Sequence, residues 1–231
     1  MKYFSTRDAE KESFDSAVVI KKGLASDGGL FVPDSLPSLT REDIEKLCGL
    51  SYPERAATVL SKYLTDYTYD ELLADCEKAY CESSFPGGAA PLRKVTDTLY
   101  SLELWHGPTA AFKDMALQIM PRLLSRALTK TGEKNTALIL VATSGDTGKA
   151  ALEGFKDVEG TKILVFYPND GVSPMQKLQM TTQEGNNVGV CAIHGNFDDA
   201  QTGVKSIFTN KEILNKFEEN NLVFSSANSI N

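Results

Sequence analysis

Four short apolar runs in the second half of the chain constrain its fold more than any other feature. They are Ala137-Leu138-Ile139-Leu140-Val141-Ala142, Ile163-Leu164-Val165-Phe166-Tyr167, Val188-Gly189-Val190-Cys191-Ala192-Ile193 and Leu222-Val223-Phe224. Each is continuous rather than alternating, and a strand that is apolar on both faces has to be covered on both. Segments with helical patterning, roughly 147–156, 174–184 and 197–219, separate the runs. This alternation predicts an α/β fold with a parallel sheet in a βαβ arrangement. Ligands then gather at the carboxyl ends of the strands.

The chain divides into three stretches. Residues 1–90 read as a mostly helical amino-terminal domain. Asp27-Gly28-Gly29 is a turn, and Leu30-Phe31-Val32-Pro33 is a short extended segment ending at proline. Thr40 is placed to cap a helix through Leu47, and Ser51 to cap another with Pro53 in its first turn. Thr68-Tyr69-Asp70-Glu71 has the pattern of a capping box. Residues 91–132 read as a hairpin, with Leu92 to Val95 and Leu99 to Trp105 as its arms, followed by a helix that carries Lys113. Pro121 lies within the apolar pattern of that helix and predicts a kink or break there. Residues 133–231 form the parallel-sheet α/β domain.

Composition excludes several classes. The 231 residues carry a net charge of −7 with no offsetting basic stretch, which argues against a nucleic-acid partner. No apolar run reaches the roughly 18 residues of a membrane span, and the first eight residues lack an apolar signal core. A cytoplasmic location is expected. The four cysteines, Cys48, Cys76, Cys81 and Cys191, form no paired CxxC units. With two histidines in the chain no metal site is expected, and the thiols are expected to be buried and free.

Two stretches carry chemistry. In His106-Gly107-Pro108-Thr109-Ala110-Ala111-Phe112-Lys113-Asp114 a helix is expected to start near Thr109. Phe112, Met115, Ala116, Ile119 and Leu123 recur at spacings of three and four, which predicts one buried stripe. Lys113 shares a second face with Thr109, Ala110, Ala116, Leu117 and Met120, where no carboxylate stands to pair with it. Desolvation on such a face lowers a lysine pKa, and an uncharged amine can capture an aldehyde. On periodicity alone the preferred reading of Lys113 is a side chain that snorkels to water. The second stretch, Thr143-Ser144-Gly145-Asp146-Thr147-Gly148, joins the first apolar run to its helix. It is either an ordinary turn or an anion-binding helix start. A P-loop is ruled out by Thr at position 143 and Ala at 150, and a GxGxxG fingerprint by the two glycines present, 145 and 148.

The lysine stretch resembles the cofactor-lysine motif of threonine synthases. Asp27-Gly28-Gly29-Leu30-Phe31-Val32-Pro33, Ala142 to Gly148, and the closing Ser226-Ala227-Asn228-Ser229-Ile230-Asn231 fit the same family in the same order. The resemblance implies a pyridoxal-phosphate enzyme of fold type II, the tryptophan-synthase-β type. The implied reaction converts O-phospho-L-homoserine and water to L-threonine and phosphate, in a monomer or homodimer. Lys113 would be the catalytic and cofactor lysine, with Asp146 near the cofactor's 3′-oxygen and Phe112 stacking on its ring. Thr143, Ser144, Gly145 and Thr147 would face the substrate carboxylate. An acid beside a phenolate oxygen repels it, so Asp146 is expected to share a proton. Asn196 is the preferred contact for the substrate phosphate, ahead of Ser173, Gln176 and Lys177, and the alternative for Asn196 is a turn residue at positive φ. His106 reads as a general base by type, or as a residue that shapes the turn before Lys113.

The resemblance also implies a cofactor-phosphate loop and a Ser or Thr near the pyridine nitrogen, and no Gly-x-x-Gly-Asn loop follows Ser226. The expectation is an amino-terminal part of the enzyme that is inactive alone and binds pyridoxal phosphate weakly or not at all. Related readings are a phospholyase acting on the same substrate, a serine/threonine dehydratase or cysteine synthase, or a binding domain without the reaction.

Overall fold

A computed structural model of the protein describes residues 1–10, 12–225 and 227, apart from the side chain of Thr209. All of the closing motif except Ala227 lies outside the described residues. The amino-terminal stretch contains β1 (Tyr3–Ser5), α1 (Ser16–Lys22), β2 (Phe31–Pro33), α2 (Arg41–Cys48), α3 (Tyr52–Tyr63) and α4 (Tyr69–Ala79). The two strands pair antiparallel, Ser5 opposite Phe31. Asp27 Oδ1 closes the turn before β2 by accepting from the Gly29 N–H at 2.7 Å and the Ser5 hydroxyl at 2.8 Å.

The three expected helix starts are capping boxes. Thr40, Ser51 and Thr68 accept from the N–H of Asp43, Glu54 and Glu71, whose carboxylates accept in return from the cap N–H groups. Each exchange satisfies two of the donors that a helix start leaves unpaired.

The hairpin is β3 (Leu92–Lys94) against β4 (Tyr100–Leu102), Leu92 opposite Leu102. Leu92, Val95, Leu99, Tyr100, Leu102 and Trp105 are all more than half exposed.

The lysine helix departs from expectation. It begins at Asp114 rather than near Thr109, runs only to Leu117 as α5 (Asp114–Leu117), and resumes as α6 (Met120–Lys130). The break falls at Gln118 and Ile119, ahead of Pro121, which occupies the first turn of α6. A proline has no N–H to offer the carbonyl four residues back, here Leu117. That carbonyl instead faces Gly154, where an added Cβ would run into its oxygen and lie 2.8 Å from its carbon. The interruption shifts the helical phase, so the expected stripe does not hold throughout. Ile119 and Leu123 are buried, whereas Phe112 and Ala116 are exposed.

The sheet forms as the apolar runs predict. It contains β5 (Thr136–Ala142), β6 (Thr161–Pro168), β7 (Val188–Ile193) and β8 (Leu222–Ser225), parallel throughout and ordered β7-β6-β5-β8. Between them lie α7 (Asp146–Phe155), α8 (Pro174–Thr181), α9 (Phe197–Thr209) and α10 (Lys211–Glu219). The last two were expected as one helix. Asn210 ends α9 and starts α10, where its side chain accepts from the N–H groups of Glu212 and Ile213.

Two apolar clusters make the core. One joins the sheet to α7, and the other joins α3 and α4 to Ile119, Leu123 and Ala127. Leu124 and Leu128 of α6 enter the first cluster, so α6 serves both. Full burial of a side chain such as Leu124 or Phe155 contributes roughly 1.5–3 kcal/mol. Across α4 and α6, Arg126 grips Asp75 with two hydrogen bonds of 2.7 Å. The four cysteines are free, but only Cys76 is buried, and Cys48 and Cys191 are exposed. Among the described residues no helix is long and apolar enough to cross a membrane, and no His/Cys/Asp/Glu group is arranged to hold a metal ion.

Candidate active site

The loops after β5, β6 and β7 lead into α7, α8 and α9, at the carboxyl edge of the sheet. The loop after β5 is built on Thr143, which is buried. Its Oγ1 accepts from the Gly145 N–H at 3.0 Å and the Gly148 N–H at 2.9 Å. Thr143 therefore organises the turn from within. Gly145 has φ +141, and a Cβ there would meet the Gln176 amide nitrogen at 2.5 Å. The N–H groups of Ser144, Asp146 and Thr147 have no protein partner among the described residues, and the Ser144 side chain is exposed.

Gln176 ties this turn to the next loop. Its Nε2 donates to Asp146 Oδ1 at 2.8 Å, while its Oε1 accepts from the Ser173 N–H at 3.2 Å in the capping box of α8. Lys149 Nζ, on a nearly buried side chain, lies 3.4 Å from the same Asp146 oxygen. The Gln176 hydrogen bond, against the opposing effect of burial, holds the Asp146 carboxyl below its usual range, and Lys149 and Lys113 add to the effect. Asp146 is thus set up as a carboxylate by its protein neighbours.

Lys113 is half-buried, immediately before α5. Among the described residues it makes no ion pair, and its Nζ lies 4.6 Å from the centroid of the Phe112 ring. Lys113, Phe112, Met115, Leu104 and Thr147 share the wall of a cavity of about 620 Å³ with apolar residues of α1, α3 and α6. The volume falls in the range of small-molecule sites. Thr143, Ser144, Gly145, Asp146 and Asn196 are not on that wall among the described residues. Phe112 is 61% exposed, so its ring is a surface beside the lysine and not a core residue.

Asn196 caps α9, accepting from the N–H groups of Asp198 and Asp199, and Asp199 Oδ2 accepts from the Asn196 N–H at 2.8 Å. Its φ is −104, and Gly195 takes the left-handed conformation instead, at φ +144. Two carboxylates in this first turn make it a poor seat for a phosphate. Lys177 Nζ donates to Asn169 Oδ1 at 2.8 Å, at the end of β6. His106 Nε2 lies 2.7 Å from Glu103 Oε2 and its ring stacks on Trp105, which ties it to the hairpin.

Sequence reasoning passed over Asp114, Thr109 and Lys149. Asp114 is fully buried and accepts from the Thr109 N–H at 2.9 Å and from its hydroxyl at 2.7 Å. Burial pushes its carboxyl up, opposed by those bonds, the Ala111 N–H and the Lys149 charge. Lys149 had one visible sign, its position three residues after Asp146 on the same helix face.

A parallel sheet with a glycine turn at its carboxyl edge, and a lysine on the wall of a neighbouring cavity, place the chain in the α/β class with its candidate site at the carboxyl ends of the strands. Comparison with known proteins narrows the class. Residues 2–80 match the family described as "Threonine synthase N terminus". Threonine synthase of Pseudomonas aeruginosa is 41% identical over 93% of this chain and 45% of its own length. That of Schizosaccharomyces pombe is 40% identical over 93% of this chain and 43% of its own. A pyridoxal-phosphate-bound threonine synthase structure from Brucella melitensis superposes on the whole chain with a TM-score of 0.88 at 39% identity, over 48% of that protein. The yeast enzyme gives 0.87 at 34% identity, over 46% of that protein. The chain is similar to the amino-terminal part of threonine synthases and spans about half the length of these relatives.

Proposed function

We propose that this chain carries the lysine-bearing part of a threonine synthase active site, acting on O-phospho-L-homoserine and water to give L-threonine and phosphate. The observation that carries the reading is the Lys113 amine, free of ion pairs among the described residues, on the wall of a cavity of ligand size. An amine so placed fits an aldehyde cofactor. Pyridoxal phosphate, when bound, supplies that aldehyde and a ring that stabilises negative charge at the substrate's α-carbon.

The protein's own groups then have separate tasks. Lys113 Nζ is the group that would hold the cofactor, and as a free amine it would take the proton from the substrate's α-carbon. The unclaimed N–H groups of Asp146 and Thr147, at the amino end of α7, with the Ser144 hydroxyl, receive the α-carboxylate. Gly145 lets that backbone approach a ligand. Asp146 stays ionised and orients toward Gln176 and Lys149 until ligands compete for it. Phe112 offers an apolar face beside the amine. Of the residues weighed for the substrate phosphate, Lys177 brings the positive charge that Asn196 and its acidic neighbours lack. Amino-acid biosynthesis in a reducing cytoplasm suits the four free thiols.

Borohydride reduction of the whole protein loaded with pyridoxal phosphate, followed by peptide mapping, tests the reading. The expected label is on Lys113 and is lost in Lys113→Ala. A label confined to another lysine overturns it. Product analysis with O-phospho-L-homoserine should give threonine and phosphate in equal amounts, and 2-oxobutyrate in place of threonine would identify a phospholyase.

A further inference from the structure

We propose that Asp114 and Thr109 form a clamp that positions Lys113, with Asp114 acting as a positioning residue and not as a contact of cofactor or substrate. The inference rests on the reading of Lys113 given above. The Asp114 carboxylate reaches back five residues to take both the N–H and the hydroxyl of Thr109, closing a ring of backbone that contains Lys113. Neither partner is open to solvent: Asp114 is 0% and Thr109 6% exposed. Hydrogen bonds to a charged acceptor in such a setting are short and strong.

Local conformation shows what the clamp overrides. Residues 107–113 are successive turns, with Ala110 at φ +55, a left-handed conformation that alanine rarely adopts. Left to propensity, this stretch would continue α5 toward its amino end. Instead the Thr109 N–H goes to a side chain, and Lys113 ends the turn with its carbonyl accepting from the Leu117 N–H at 2.9 Å. Gly107 completes the fit, since a Cβ there would lie 2.5 Å from Asp114 Cβ. Behind the clamp, the nearly buried Lys149 supplies positive charge to Asp114 and lies 3.4 Å from Asp146 Oδ1. The lysine turn and the glycine turn are thereby set against one another.

The test measures the amine itself. Reductive methylation with formaldehyde and cyanoborohydride, quantified by peptide mass spectrometry, gives the reactivity of Lys113 relative to the exposed Lys134. Thr109→Val keeps the shape and the N–H bond but removes the hydroxyl donor. Losing such a bond shifts the opening equilibrium of the turn by about tenfold or more, so the Lys113 to Lys134 ratio should change severalfold. Thr109→Ser retains both bonds and should restore the original ratio. Thr161→Val removes a buried hydroxyl bond to the Val158 carbonyl far along the chain and serves as a matched control for stability.

An unchanged ratio in Thr109→Val, the same change in Thr161→Val, or failure of Thr109→Ser to restore it would each overturn the clamp. If Thr109→Val does not fold, hydrogen exchange on the unaltered protein decides. The Thr109 amide must be strongly protected, and exchange at the rate of an open turn refutes the proposal. Borohydride labelling with pyridoxal phosphate is run separately, so a clamp that fails and a wrongly assigned cofactor lysine give different results.

Discussion

The substitution Gly154→Ala tests the packing that sets α5 against α7. In an exposed helix the exchange of glycine for alanine stabilises by about 1 kcal/mol. At position 154 the new methyl group would enter the space of the Leu117 carbonyl, 2.8 Å from its carbon, with the Gln118 nitrogen at 3.6 Å. A carbonyl fixed in a helical turn cannot rotate away as a side chain can, so the two helices must separate. Overpacking of this kind costs about 1–3 kcal/mol. Taking the upper figure for a rigid neighbour leaves a net loss of about 2 kcal/mol after the propensity gain. For a chain of this size that lowers Tm by about 4–8 °C. Gly203, inside α9, has nothing within 4 Å of an added Cβ. Gly203→Ala should therefore gain about 1 kcal/mol and raise Tm by about 2–4 °C. Urea and thermal unfolding followed by circular dichroism at 222 nm compare the two variants directly. Stabilisation of both to the same degree would refute the close approach of α7 to the broken helix.

Three further outcomes are expected. Hydrogen bonding to Ser83, then Ser84, lowers the Cys81 thiol to about 7, so its alkylation by iodoacetamide should rise through a midpoint near that pH; Ser83→Ala should move the midpoint upward. Asp146, whose folded pKa is lowered mainly by Gln176, contributes stability above its unfolded pKa and loses it as pH falls through the folded value. Gln176→Leu should raise the Asp146 titration followed by carboxyl NMR, and an unmoved curve would remove the amide bond from the account. Asp75→Ala leaves Arg126 with only a longer contact to Glu71 at 3.7 Å and should cost about 3 kcal/mol in urea unfolding, against a change under 1 kcal/mol for the exposed pair member Glu42→Ala.

What the sequence makes legible is what is local or periodic. The capping boxes at Thr40, Ser51 and Thr68 need only a residue and its neighbour three positions on, and all three form. The apolar runs predict β5, β6, β7 and β8 because burial on both faces leaves a continuous signature. β1 and α1, of 3 and 7 residues, are too short to carry a period. The lysine turn defeats periodicity for another reason. Its conformation is set by a carboxylate that captures Thr109, an interaction with no helical spacing. The bond between Gln176 and Asp146 depends on β5 and β6 being neighbours, which composition does not reveal. The motif singles out Lys113, which lies on the cavity wall, whereas the contacts of Asp114 and Lys149 emerge only once the chain is folded.

The hairpin β3–β4 leaves a further mark on how the molecule behaves. Leu92, Val95, Leu99, Tyr100, Leu102 and Trp105 hold large apolar surfaces in water on a ribbon only two strands wide. Such a ribbon gains little rigidity from its own pairing and a great deal from any surface that dries it. Six exposed apolar side chains on so narrow a ribbon make it a surface suited to burial against another.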